Sequence, residues 1–106
     1  MTAGVRKLLV ETLLSELPGL EERSSTVAGG SALFYKGKEI AHFHHDNEID
    51  VRLTRQIIKR EGLTHPSDSE VHANRAASSH WMELRFTKAA DVKNVVRLFK
   101  LACEQY

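Results

Sequence analysis

Two histidines two positions apart, His42 and His44, are the residues of this chain best suited to chemistry. On a β-strand alternate side chains leave the same face, so both imidazoles project together. Imidazole changes charge near neutrality, which suits it to accept a proton from an acidic hydroxyl. A His-x-His strand pair can also present two nitrogens to one metal ion. The following segment decides which face they occupy. Ile49, Val51 and Leu53 alternate there with Glu48, Asp50 and Arg52, an apolar-in, polar-out pattern. If His45-Asp46-Asn47 is a three-residue turn, Phe43 lies opposite Ile49 and Ala41 opposite Val51. His42 and His44 then join Glu48, Asp50 and Arg52 on the polar face. A turn one residue shorter or longer would reverse every side chain, so the three-residue turn, which matches apolar with apolar, is preferred.

Asp50 is then a third metal ligand, or the group that orients a ligating imidazole through its second nitrogen. His65, in a later loop, is another candidate third ligand, which makes His42, His44 and His65 a candidate metal set. Leu33, Tyr35 and Ile40 are expected to edge the patch with apolar surface, and apolar walls around a few convergent polar groups suit a ligand pocket. Tyr35 and Arg52 are accordingly candidate substrate contacts. The competing reading is a solvated face on which Asp50 only neutralises Arg52 or a histidine. His45 reads as a turn residue, and His72 has no partner that the sequence identifies.

The elements that must position these residues follow from periodicity. Val5 to Leu17 reads as a helix, with Leu9, Leu13 and Leu17 at four-residue spacing and Pro18-Gly19 as its stop. Glu21 to Gly30 reads as a loop with a short strand near Thr26 and Val27. Ser31–Tyr35, Glu39–His44 and Glu48–Leu53 read as strands, the first two joined by Lys36-Gly37-Lys38. That first hairpin is expected to place Phe34 beside Ala41 and Ala32 beside Phe43. Thr54 caps a short helix ending at Arg60. Leu63 to Ser79 is a long loop, and His80–Phe86 is a fourth strand. Thr87 caps a final helix whose stripe is Val92, Val95, Val96, Phe99 and Cys103. The expected fold class is α+β: an antiparallel four-stranded sheet with helices packed on one face, in the order α-β-β-β-α-β-α.

Composition narrows the function classes. At 106 residues, with 42% hydrophobic and 27% charged content, the chain fits one globular domain spanning residues 1–106. Fifteen basic against fourteen acidic residues leave a formal charge of +1, with no basic stripe for a nucleic acid or an anionic membrane. One cysteine, Cys103, precludes an intramolecular disulfide and a Cys-based zinc site, and its helical setting suits a small buried hydrophobe. Without an apolar run of membrane length or a signal-peptide pattern, a cytoplasmic protein is expected. An exposed edge strand leaves room for a homodimer.

Glu39-Ile40-Ala41-His42-Phe43-His44, a strand ending in Leu53, His65-Pro66 after Gly62, then Trp81 and a closing helix together resemble the luciferase domain. The resemblance runs from about Gly37 to the C-terminus. That family holds the fungal bioluminescence luciferases and many small bacterial proteins. It implies oxidation of a hydroxylated styrylpyrone by molecular oxygen without flavin or ATP. Carried over residue by residue, it points to His42, His44, His65 and Trp81. The chain departs from the fungal pattern in lacking a long N-terminal region and membrane anchor. It departs again in the loop between His65 and Trp81, and in having His80 where an acidic residue precedes the tryptophan.

Two function classes follow. In the first, a small pocket binds an aromatic or enol-type molecule and acts on it as a luciferase-like oxidoreductase. A neutral His42 or His44 takes a proton, Asp50 holds the tautomer, His65 binds an oxyanion and Trp81 walls the ring. No nucleotide or flavin motif is present, and in a metal variant a divalent ion replaces proton abstraction. In the second, the hairpin and the Leu63–Ser79 loop form a non-catalytic protein-interaction module.

Overall fold

The computed structural model describes residues 2–24, 30–45, 47–64 and 79–105. Eight elements follow in chain order: α1 (Thr2–Glu16), β1 (Leu20–Ser24), β2 (Ser31–Tyr35), β3 (Lys38–His45), β4 (Glu48–Arg52), α2 (Arg55–Arg60), β5 (Trp81–Arg85) and α3 (Ala89–Cys103). The five strands form one antiparallel sheet in the order β1-β2-β3-β4-β5. The α+β class is as expected, but the sheet has five strands where four were expected. The additional strand is β1, which the sequence reading placed in a loop. Its residues Leu20-Glu21-Glu22-Arg23-Ser24 bury only Leu20, so no apolar alternation announces it. A charged edge strand of this kind also discourages pairing with another chain. The strand expected near Thr26 and Val27 falls outside the described residues, as do His65, His72 and most of the Leu63–Ser79 loop.

The helices and one face of the sheet enclose the core. Leu9 and Leu13 of α1, Ile49, Val51 and Leu53 around β4, Met82, Leu84 and Phe86 around β5, and Val92, Val95, Leu98 and Phe99 of α3 are all buried there. Phe43 and Phe86 meet edge to face at 6.1 Å, and the Arg6 guanidinium of α1 lies 4.2 Å above the Phe43 ring. Cys103 is buried in the same cluster, as expected of a small hydrophobe. Burial holds its thiol well above the usual range, up to about 11.

Local chemistry accounts for the connections. Lys36 and Gly37, at φ 52° and 82°, close the β2–β3 hairpin as a two-residue turn of left-handed residues. The Thr54 hydroxyl accepts from the Ile57 amide at 3.5 Å, capping α2 as expected, and the Nδ1 of His80 accepts from the Arg55 amide at 3.1 Å. The expected capping by Thr87 is corrected. Helix α3 starts at Ala89, and Asp91 Oδ2 accepts from the Thr87 and Lys88 amides at 2.9 and 3.3 Å. A carboxylate satisfies two amides where a hydroxyl would satisfy one.

Strand β3 carries two irregularities that decide the site. Against β4 the register is Ala41↔Val51, His42↔Asp50 and Phe43↔Ile49, the pairing expected from a three-residue turn. It then shifts to His45↔Glu48, leaving His44 as an extra residue. Against β2 the expected Phe34–Ala41 and Ala32–Phe43 pairs are replaced by Leu33↔Ala41 and Ala32↔His42. A shift then brings Phe34 opposite Glu39. Ile40 is the extra residue there. It and Ala41 both point to the core and are fully buried. A bulge of this type sets two neighbouring residues against one and re-aims the side chains beyond it. Glu39 is thereby turned to the face that holds His42.

Candidate functional site

The face of the sheet away from the core is polar, yet its middle is shielded from water. His42, Glu48, Asp50 and Glu83 are 8%, 2%, 1% and 3% exposed. The side chains of His44 and Glu39 are nearly as enclosed. The solvated-face alternative therefore does not hold. Buried charges demand compensation from partners, and the distances show how this face supplies it.

Asp50 is the centre. Its Oδ2 lies 3.3 Å from His42 Nε2 and 3.9 Å from His44 Nε2. Behind each ring stands a second carboxylate. Glu48 Oε2 is 3.3 Å from His44 Nδ1, close enough for that nitrogen to donate to it. Glu39 Oε2 is 3.3 Å from His42 Nδ1, but the angle falls short of a hydrogen bond and this buried nitrogen makes none. Arg85 anchors Glu48 from the next strand, its Nε donating to Oε1 at 3.1 Å. The imidazole centroids are 5.0 Å apart, and the Trp81 ring centroid is 5.2 Å from that of His42. The ligand atoms of His42, His44 and Asp50 all fall within 4.8 Å of one another.

Register explains the convergence. The β4–β5 pairs Asp50↔Glu83, Arg52↔Trp81 and Glu48↔Arg85 bring Trp81, Glu83 and Arg85 to the histidine side. The Trp81 amide, at the start of β5, is fixed by donating to Ser79 Oγ at 3.1 Å. On the other flank the bulge places Ala32 and Phe34 toward this face, and the Arg23 guanidinium lies 5.4 Å above the Phe34 ring.

Of the residues singled out from sequence, His42, His44, Asp50 and Trp81 come together, with Arg52 beside Trp81 in the register. The expected apolar edge is corrected. Leu33 and Ile40 are buried in the core, and Tyr35 packs against it, because the bulge at Ile40 reverses the faces. Phe34 and Trp81 take their place. His65 lies outside the described residues. Glu39, Glu48 and Glu83 were not singled out. Alternation places Glu48 on this face; Glu83 reaches it through the β4–β5 register. Glu39 is betrayed only by the adjacent apolar pair Ile40-Ala41, which interrupts the strand's period.

A groove of about 490 Å³ lies elsewhere, between α1 and α3, lined by residues that include Leu8, Val92, Val96 and Lys100. None of its lining residues belongs to the cluster, and Lys100 and Glu16 in it pair with each other at 2.6 Å. It brings together no nucleophile and no ligand set, so the cluster is the better site. None of the described helices is long and apolar enough to cross a membrane.

No curated protein and no solved structure matches the chain. A family model does: the Luciferase domain, over residues 37–102. The matched stretch contains every residue of the histidine cluster, the Ile40 bulge, Trp81 and nearly all of α3. The chain belongs to the luciferase-domain family.

Proposed function

We propose that the polar face binds a small aromatic or enol-type molecule and supports its oxidation by molecular oxygen, in a cytoplasmic protein. One observation carries this reading: two imidazoles face one buried carboxylate, with the Trp81 ring 5.2 Å from the nearer imidazole. An acidic hydroxyl and an aromatic ring on one ligand would meet both. The His42–Asp50–His44 trio holds the hydroxyl in its ionised form, since an enolate or phenolate gives up electrons to oxygen more readily than its neutral parent. Glu48 holds the His44 ring from behind, Glu39 stands behind His42, and Trp81 and Phe34 form walls. Arg52, next to Trp81 in the register, offers a cation to an anionic group of the ligand. Membership of the luciferase-domain family supports oxygen as the co-substrate, since the fungal luciferases work without flavin or ATP.

Trp81 is the chain's single tryptophan, so its fluorescence reports on this face alone. Titration with a hydroxylated pyrone should quench it saturably. His44→Gln should abolish the quench with the fold retained, and oxygen uptake should accompany turnover. Absence of saturable quenching, or quenching that His44→Gln leaves intact, would remove the proposal.

A further inference from the structure

The orientation of the two imidazoles carries the reading one step further. Each ring turns Nδ1 toward a glutamate and Nε2 toward Asp50. A neutral imidazole that donates from Nδ1 carries its lone pair on Nε2. The two Nε2 atoms approach the same buried carboxylate at 3.3 and 3.9 Å, and the three ligand atoms lie within 4.8 Å of one another. Three such atoms can share one cation. Backing of each ligating histidine by a carboxylate on its far nitrogen is the usual second shell of a metal site, because it fixes the tautomer and raises ligand basicity. Here His44 has that backing, from a glutamate itself held by Arg85, while Glu39 stands 3.3 Å behind His42 without a hydrogen bond.

We infer that His42, His44 and Asp50 form a three-ligand site for one divalent first-row transition-metal ion. This deepens the reading above and rests on it for the ligand: the ion is the means by which the trio keeps a hydroxyl ionised. Two donors each about 2.1 Å from a common ion stand roughly 3.0–3.4 Å apart, depending on the angle between them. The His42–Asp50 separation of 3.3 Å already meets that. The His44–Asp50 separation of 3.9 Å needs closing by about half an ångström. Two histidines and one carboxylate leave coordination positions open, the arrangement used by oxygen-activating non-haem iron centres. A ligand hydroxyl occupying such a position loses its proton to solvent near neutral pH, because the ion's charge lowers its pKa. Glu39, Glu48, Asp50 and Glu83 are also gathered on one enclosed face, a donor set that suits a dication.

The full chain, stripped with EDTA and dialysed, is titrated with Co²⁺ by calorimetry and visible absorption, and with Fe²⁺ under nitrogen. One equivalent should bind, with ligand-field bands for Co²⁺. Glu48→Gln should weaken binding 10- to 100-fold as a positioning residue, and Asp50→Asn should weaken it further, with melting curves confirming folded variants. Failure to bind one equivalent, or unchanged binding in Asp50→Asn, overturns the inference whether or not any variant misfolds, because the wild-type titration stands alone. Trp81 quenching by the hydroxylated pyrone, with and without Co²⁺, separates the two readings. Quenching at least tenfold tighter with Co²⁺ supports both. Equal quenching without the ion keeps the pocket and rejects the ion's role. One bound ion without any quenching upholds the metal site and rejects the pyrone-type ligand.

Discussion

Replacing Glu83 by glutamine should make the metal-free protein more stable, although it removes a buried charge. Glu83 and Asp50 are directly paired across β4 and β5, and both are almost fully buried. Like charges directly opposite on a sheet are destabilising, with Cβ atoms about 5 Å apart, which is taken as the order of the charge separation. Two ionised carboxylates at that separation repel by about 3 kcal/mol at an effective dielectric near 20. The arginines on the same face, Arg52 and Arg85, offset part of this, so a gain of ~1–2 kcal/mol is the working figure. Glutamine preserves shape and hydrogen-bonding capacity, so no cavity term enters. For a domain of this size such a gain raises Tm by roughly 4–8 °C. Urea denaturation followed by circular dichroism, on EDTA-treated protein, measures it. A loss of more than ~1 kcal/mol would show that the Glu83 carboxylate is a structural anion, matched to its surroundings for stability. The claim that this face accepts repulsion in exchange for binding would then fail.

Other perturbations probe the frame around the site. Lys36 sits at φ 52°, where a side chain costs about 1 kcal/mol, so Lys36→Asn or Lys36→Gly should raise stability by ~0.5–1 kcal/mol in urea titrations. The Thr87 amide, and after it the Lys88 amide and Thr87 hydroxyl, hold the Asp91 carboxyl below its ordinary range. Its contribution is therefore present above the unfolded-state value and lost as the pH falls through the lower folded one, and the Asp91→Ala melting deficit should shrink on acidification. Burial raises the Cys103 thiol to about 11. A native protein at pH 8 should thus react with a thiol reagent far more slowly than the same protein in urea. Because a raised value favours the protonated fold, stability should decline from about pH 9 upward, and Cys103→Ala should flatten that decline.

Much of the site was legible because β4 alternates cleanly. Ile49, Val51 and Leu53 fixed one face, and pairing apolar with apolar across the turn delivered Phe43↔Ile49 and His42↔Asp50. Trp81 was reached only through the family resemblance, and the β4–β5 register is what carries it to the histidines. The β2–β3 register was misjudged because a bulge is a local departure from period two, and nothing in an alternation argument allows for an extra residue. The cost fell on Leu33, Ile40 and Tyr35, assigned to the site but packed in or against the core. It fell also on Glu39, a neighbour of His42 that sequence alternation alone puts on the wrong side. β1 escaped notice because an edge strand that buries one residue in five has no hydrophobic period to read.

The proposed site requires that this enclosed polar face serve binding and not hold the fold together. The direct measurement is Asp50→Asn, studied by urea denaturation and by Co²⁺ calorimetry on the same preparation. The expected result is an unfolding free energy within ~1 kcal/mol of wild type, or above it, together with loss of the bound ion. A drop of ~3–5 kcal/mol, the signature of a broken structural ion pair, with cation binding unaltered or absent in both proteins, would contradict it.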